Sequence, residues 1–385
     1  MGDGPALMRE GRYAEALLAL ERQVLLEPDN AGAWLDFAIC HYRLGDFAES
    51  QAIFAAILRQ FSPPPAIRAV IARYRRPPAA SQMPAPRRWR ADLALLAGRE
   101  SNANAGLPLS SLTLTLADTP VQLAIDPRYR AHPSSDLQME GHAEGELPLG
   151  GGGLSLLGVG DWRERHTPDT PDFSTRQYQG FLGLRGPLPG WVARPVHWAL
   201  WGGLQRATLG GQGLLDGSRL LATVETPLDA CMARIGGELE RRRYPIEPSL
   251  NGRYRGVTGS LGCPLRAGQL FLTARSGLDR PDGLRAGGTQ RRADISASLQ
   301  WPLSGRDRLE ATLLRSLQWD RDPYSALLGD VPRRIDRSGI TLEYGHRIRP
   351  GLEWLLRAES WSQGSNIDLF RIRDNSLLAG LRQRF

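Results

Sequence analysis

The fold class this sequence predicts is α + membrane β: a short helical N-terminal domain followed by an antiparallel transmembrane β-barrel of about fourteen strands. Three observations predict it. Apolar residues recur at spacings of three and four through residues 1 to 61, the period of a helix face. From Arg88 onward the period falls to two. The alternating segments run about 11 to 13 residues, longer than most soluble strands and long enough to cross a bilayer at a tilt.

Composition agrees with this division. The chain has 385 residues and a mean hydropathy of −0.33, and no run approaches the roughly 20 apolar residues of a spanning helix. That excludes a helical membrane bundle but not a barrel, whose strands average apolar with polar positions. All 48 basic residues are arginine, a side chain that pairs bidentately with carboxylates and suits networks in an enclosed polar lumen. They interleave with 41 acidic residues instead of forming a block, which excludes nucleic acid as a partner.

In the helical region one pattern occurs twice. Gly11, Tyr13, Ala16 and Pro28 form the first copy, and Trp34, Gly45, Phe47 and Phe54 the second. The two glycines lie 45 − 11 = 34 residues apart, the period of a tetratricopeptide repeat. Tyr13, Trp34 and Phe47 are read as wedges between helices, and the repeats as a concave surface for a peptide or partner. Residues Ala66 to Arg76 form a candidate capping helix with Ile67, Val70, Ile71 and Tyr74 on its apolar face. The expected division is a helical domain over 1–76, N-terminally incomplete, a Pro-rich linker over 77–87, and a barrel over 88–385. The opening MGDGPALMREGRYAEALL has neither a basic start nor a cleavage site, so a misassigned start or a processed form is expected.

In the barrel region, Leu137, Met139, Gly141, Ala143, Gly145, Leu147 and Leu149 alternate with Gln138, Glu140, His142, Glu144 and Glu146. Ile295, Ala297, Leu299 and Trp301 alternate with Asp294, Ser296, Ser298 and Gln300; Ile340, Leu342 and Tyr344 with Thr341, Glu343 and Gly345. Trp89, Trp162, Trp301, Trp319 and Trp361 fall near strand ends, where a girdle at the lipid interface is expected. Short connections such as PLSGRD and RIRPG alternate with longer ones around 280–289 and 321–334. The fourteen candidate strands are 88–98, 136–149, 153–165, 174–186, 194–207, 218–226, 230–242, 251–263, 268–279, 290–302, 307–320, 335–347, 351–363 and 375–385. The last places Leu377, Ala379, Leu381 and the terminal Phe385 on one face. With Leu381, Phe385 resembles the signal by which barrel assembly machinery recognises its substrates.

The repeats, the PPPAIRAVIARY segment and a first strand running into GRESNANAG together resemble the surface lipoprotein assembly modifier (Slam) family. Ser101, Asn102, Ala103 and Asn104 match its Ser-Asn-x-Asn stretch, and VQLAIDPRYR, with Asp126 and Pro127, matches a later segment. The resemblance implies a fourteen-stranded outer-membrane protein that assists the movement of lipoproteins to the cell surface. It implies as partners the outer-membrane bilayer, the barrel assembly machinery and a lipoprotein or other periplasmic client.

Candidate chemistry is sparse. His142 among Glu140 and Glu144 is the candidate for catalysis, against the simpler reading of a hydrogen-bonded lumen residue. Gly150 to Gly153 reads as a tight turn, since no Lys-Ser or Lys-Thr follows. Arg241, Arg242 and Arg243 are either a lipid-headgroup or client contact or, as preferred, a solvated strand end balanced by Glu238 and Glu240. Asn102 and Asn104 either specify a functional loop or satisfy turn chemistry. Cys40, Cys231 and Cys263 lack metal-ligand spacing. Cys231 and Cys263 fall on matching faces of consecutive strands and could pair, with free lipid-facing thiols preferred. The expectation is a non-enzymatic assembly or transport protein with no cofactor and no metal. An exporter of polysaccharide and a passive porin are the alternatives.

Overall fold

The computed structural model describes residues 4–27, 29–44, 46–61, 63–74, 88–116, 119–150, 153–188 and 196–385. The chain divides into two compact units between Pro86 and Arg87.

The first unit is helical: α1 (Gly4–Arg9), α2 (Tyr13–Leu26), α3 (Ala31–Leu44), α4 (Phe47–Gln60) and α5 (Pro65–Tyr74). Gly11, with φ of 76°, makes the turn between α1 and α2, a conformation that a side-chain-free residue adopts without cost. Ala16, Leu20 and Cys40 form one buried cluster with Tyr13 against it. Ala38, Ile53, Phe54, Ile57 and Ile71 form another, with Trp34, Ile67 and Tyr74 packed around it. The capping helix therefore docks through Ile67, Ile71 and Tyr74, whereas Val70, assigned to the same face from the sequence, is exposed. Pro28, Gly45, Arg75, Arg76 and the stretch 77–87 lie outside the described residues, as does the side chain of Phe47.

The second unit contains sixteen strands: β1 (Arg88–Glu100), β2 (Ser111–Leu116), β3 (Thr119–Ala124), β4 (Ser134–Pro148), β5 (Ser155–His166), β6 (Thr175–Pro187), β7 (His197–Leu209), β8 (Gln212–Leu228), β9 (Cys231–Arg243), β10 (Gly252–Leu265), β11 (Gly268–Pro281), β12 (Gln290–Pro302), β13 (Asp307–Pro323), β14 (Pro332–Arg349), β15 (Leu352–Ser365) and β16 (Ile372–Arg384). Fourteen of them close into an antiparallel barrel, with β1 between β16 and β4. The closing seam runs from Asp92 opposite Arg384 to Glu100 opposite Ser376. The other two, β2 and β3, form a separate hairpin in the connection from β1 to β4, a feature absent from the sequence reading.

Directly opposed residues share a face, so the registers sort every barrel residue into wall-outward or lumen-inward. Outward positions carry Leu204 and Ile235, 71% and 69% exposed. Inward positions carry Gln138, Glu225, Glu240 and Asp279, all nearly inaccessible. An apolar exterior around a charged interior inverts the arrangement of a soluble protein. It is the arrangement a bilayer requires, since closure leaves no unpaired backbone edge in lipid. One connection shows how the turns are built. Gly210 and Gly211 both have positive φ, 54° and 82°, giving the two-residue turn whose twist matches flanking strands. That turn lets β8 begin at Gln212, ahead of the start at residue 218 expected from the sequence. The end holding β1's start has the tight connections 229–230, 266–267 and 350–351; the opposite end has 101–133, 244–251, 282–289 and 324–331.

The registers overturn three sequence expectations. Trp361 points into the lumen, opposite Gly339 with Arg337 5.3 Å from its ring, and is no girdle residue. The run Arg241–Arg243 is split by alternation, Arg242 turning inward to Asp279 while its neighbours face out. Glu240, which faces in, therefore balances Arg242, Glu238 pairs with Arg219 and Arg275, and neither reaches Arg241 or Arg243. Lastly, Cys231 and Cys263 are disulfide-bonded on adjacent strands, not free. The strand ends place them opposite each other on the outward face next to the tight turns, and such bonds form and persist chiefly in oxidising environments.

Cys40 is fully buried, and burial, with Asp36 nearby, pushes its thiol up to about 11. Its reactive thiolate is therefore scarce at neutral pH. Alkylation of the native protein should add no label; unfolding without reductant should expose one thiol, and reduction all three. Intact-mass measurement reads the outcome, and three labels before reduction would exclude the disulfide.

Candidate functional site: the barrel lumen and its rim

The inward face brings together residues far apart in sequence. Glu343 on β14, 5% exposed, accepts from Arg308 of β13 at 2.8 Å, Arg357 of β15 at 2.8 and 3.1 Å, and Arg382 of β16 at 2.7 and 3.1 Å. Arg357 also clamps Glu140 on β4 bidentately, at 2.7 and 2.8 Å. Since β16 and β1 lie between β15 and β4, this contact is a chord across the lumen, not a neighbour contact along the wall. Arg163 of β5 extends it, 3.3 Å from Glu140 and 3.8 Å from Glu359 of β15.

A second cluster braces the facing wall. Glu240 on β9 accepts from Arg219 of β8 at 3.2 Å and Arg275 of β11 at 3.1 Å. Arg275 reaches Glu238 at 2.8 Å and lies 4.5 Å from the Tyr254 ring centroid. Asp279 joins Arg242 at 2.6 Å and Arg292 at 2.9 Å. Toward the tight-turn end, Glu225 holds both Arg185 and Arg234. Buried carboxylates are thus matched by several guanidinium groups each, the condition under which burying charge is tolerated. Against β4–β7 there remains a cavity of about 670 Å³ whose inward lining includes Glu140, His142, Asp161, Arg163, Gln179 and Gln205.

His142 lies in this cavity. Its Nδ1 is 2.7 Å from Asp161 Oδ1, while Asp161 Oδ2 accepts from Gln179 at 2.8 Å. Its nearest acid is therefore Asp161, a partner the sequence reading did not name, with Glu144 at 4.0 Å.

At the rim, Ser101, Asn102 and Asn104 tie down the long connection 101–133. Ser101 Oγ donates to Asp374 Oδ1 at 2.9 Å and accepts from the Asn375 amide at 2.8 Å. Asn102, 3% exposed, donates through Nδ2 to the carbonyls of Gly106 and Arg373 and accepts from the Gly106 amide at 2.7 Å. Asn104 donates to the Arg130 carbonyl at 2.7 Å and accepts from the His132 amide at 2.9 Å. Asp126 caps the short helix that opens at Pro127 by accepting from the Arg128 amide at 3.0 Å. The β2–β3 hairpin held by this frame contacts the 326–328 segment between β13 and β14, at the same end of the barrel. Gly150 and Gly153 both have positive φ, as a turn requires. Leu381 and Phe385 face outward, and the Phe385 amide donates to the Ala91 carbonyl at 2.8 Å.

The sequence reading named Glu140 and Glu343 as polar-face residues and foresaw arginine–carboxylate networks. It missed Arg357, Arg382 and Arg308 as the partners. Their inward parity was readable once the strand frames were set, but cross-lumen pairing was not.

Fold and lumen define the class of protein: a membrane-spanning, fourteen-stranded β-barrel carrying a helical repeat unit. The tetratricopeptide repeat model matches residues 7–74. No curated protein sequence matches the chain. Solved structures similar to it include an anion-selective porin from Comamonas acidovorans, at 12% identity and a TM-score of 0.37, covering 78% of this chain and 100% of the porin. OmpT of Vibrio cholerae, expressed in the outer membrane, is 8% identical, with a TM-score of 0.36 and coverage of 78% and 97%. A BenF-like porin from Pseudomonas fluorescens Pf-5 is 6% identical, with a TM-score of 0.37 and coverage of 78% and 99%.

Proposed function

We propose that the protein sits in the outer membrane with its repeat unit in the periplasm, where it collects a lipoprotein or other protein client for display at the surface. The reading is non-enzymatic. The observation that carries it is the combination on one chain of a repeat unit and a barrel whose lumen carries the Arg357–Glu140 bridge over β16 and β1. Repeat units commonly bind peptides or partner proteins, which a passive porin does not need. A chord of buried ion pairs also narrows the path for free diffusion. The terminal strand with Phe385 fits recognition by the barrel assembly machinery, and the disulfide fits an oxidising compartment.

Deleting the gene and shaving whole cells with protease tests this directly: surface lipoproteins should lose their protease sensitivity. Unchanged lipoprotein exposure together with lost surface sugar would favour polysaccharide export instead. A steady open-channel conductance of the purified wild-type barrel would favour a porin.

A further inference from the structure

On the outer wall, several charges occur as cross-strand pairs, although Arg291 and Arg334 stand singly. Arg176 reaches Glu164 at 2.7 Å, Arg315 reaches Asp336 at 2.8 Å, and Arg206 lies 3.7 Å from Asp216. The wall of β9–β11 departs from this. Arg241, Arg253 and Arg280 stand directly opposite one another on three adjacent strands, all outward and all exposed. Arg255 lies two residues farther along β10, between Leu239 and Leu278. Asp282 meets Arg253 at 2.9 Å; among the described residues no carboxylate lies within ion-pair distance of Arg241, Arg255 or Arg280. Like charges directly opposed on neighbouring strands repel, and arginine toward lipid carries a further cost that grows with depth.

The row has a shape as well as a charge. A depression of about 210 Å³ is lined on this outer face by Ser218, Leu220, Leu239, Arg241, Arg253 and Arg255. Guanidinium groups lie toward the end of the barrel with the long connections 244–251 and 282–289, and leucines lie toward mid-wall. A site cationic at one end and apolar at the other fits an amphiphile with an anionic head. Arginine's planar fork pairs with phosphate oxygens two at a time. Three or four such groups exceed what one phosphate neutralises.

We infer that Arg241, Arg253, Arg255 and Arg280 bind the multiply phosphorylated headgroup of a glycolipid in the leaflet that the long connections face, its acyl chains lying along Leu220 and Leu239. The inference rests on the proposed outer-membrane orientation. The bound phosphates remove the repulsion within the row and fix the barrel's height in the bilayer at this sector.

The test uses the full chain purified in detergent and native mass spectrometry. Diphosphoryl lipid A should form retained adducts, whereas the same lipid stripped of phosphate, phosphatidylglycerol and inorganic phosphate should each bind at least tenfold more weakly. The triple variant Arg241→Gln/Arg253→Gln/Arg280→Gln should lose lipid A binding by tenfold or more. Arg315→Gln, which removes a paired outward charge, should not. Heat-modifiable gel mobility reports whether each barrel is folded, and the single variant Arg280→Gln, expected to weaken binding severalfold, covers a triple variant that fails to fold. Equal binding of dephosphorylated lipid or phosphatidylglycerol, or an unaffected triple variant, would overturn the inference. Competition by inorganic phosphate at equal concentration would do the same, marking a free-anion site. Retained lipid A binding by a protein whose deletion leaves lipoprotein display unchanged would support the inference while removing the display role.

Discussion

Replacing Glu343 with alanine should destabilise the barrel and open its lumen in one step. Three arginines converge on this carboxylate from β13, β15 and β16, and removing it leaves them buried beside one another. Breaking a buried ion pair from one side costs about 3–5 kcal/mol, mostly the penalty of the stranded charge. The effect should appear as a lower temperature for the heat-modified gel shift and as increased conductance in planar bilayers, because Arg357 is then freed from one of its two anchors. Glu343→Gln keeps an acceptor and should lose less. If both variants kept wild-type stability and conductance, Glu140 beside Arg357, Glu353 3.0 Å from Arg308 and Asp92 3.4 Å from Arg382 would be sufficient to hold the arginines, and the hub would not close the channel.

Replacing Phe54 with alanine should melt the repeat unit and leave the barrel folded. Phe54 is fully buried in α4, packed among Ala38, Ile53, Ile57 and Ile71 and stacked 6.2 Å from Tyr74. Deleting such a ring costs about 3–5 kcal/mol in lost transfer energy and residual cavity. A unit of this size commands on the order of 4–10 kcal/mol at roughly 0.05–0.15 kcal/mol per residue, so the change removes a large share of it. Limited proteolysis should then cut within residues 4–74 while the barrel keeps its heat-modified mobility, and surface display should fall to the level of the deletion strain. Display that survived a digested repeat unit would separate client delivery from the repeats.

What the sequence disclosed followed from periodicity. All fourteen barrel strands were legible because each must face lipid on one side and charge on the other, and the two-residue alternation survives any error of a few residues at a boundary. The β2–β3 hairpin escaped because its strands are only six residues each, too short to cross a bilayer, and although β2 alternates, Thr119 through Ala124 are all exposed, so burial imposes no pattern on β3. Trp361 was misplaced for a related reason, since nearness to a strand end was given priority over parity. The two cysteines show the limit of register counting. Pairing depends on a single-residue alignment of β9 with β10, which composition leaves open and the ladder from Gly252 to Gly262 fixes. The lumen hubs were legible as polar faces but not as pairs, because Arg357 and Glu140 are 217 positions apart and meet only through barrel closure.

That closure also sets an order of events. The seam joins β1 to β16, so Leu95 finds its partner Leu381 only after the last barrel strand has been synthesised. Contacts of such long sequence separation form slowly, and until they do both edge strands present open hydrogen-bonding rows that invite association with other chains. The interval between making the first strand and making the last is therefore the one in which these edges are most open to strands other than their own.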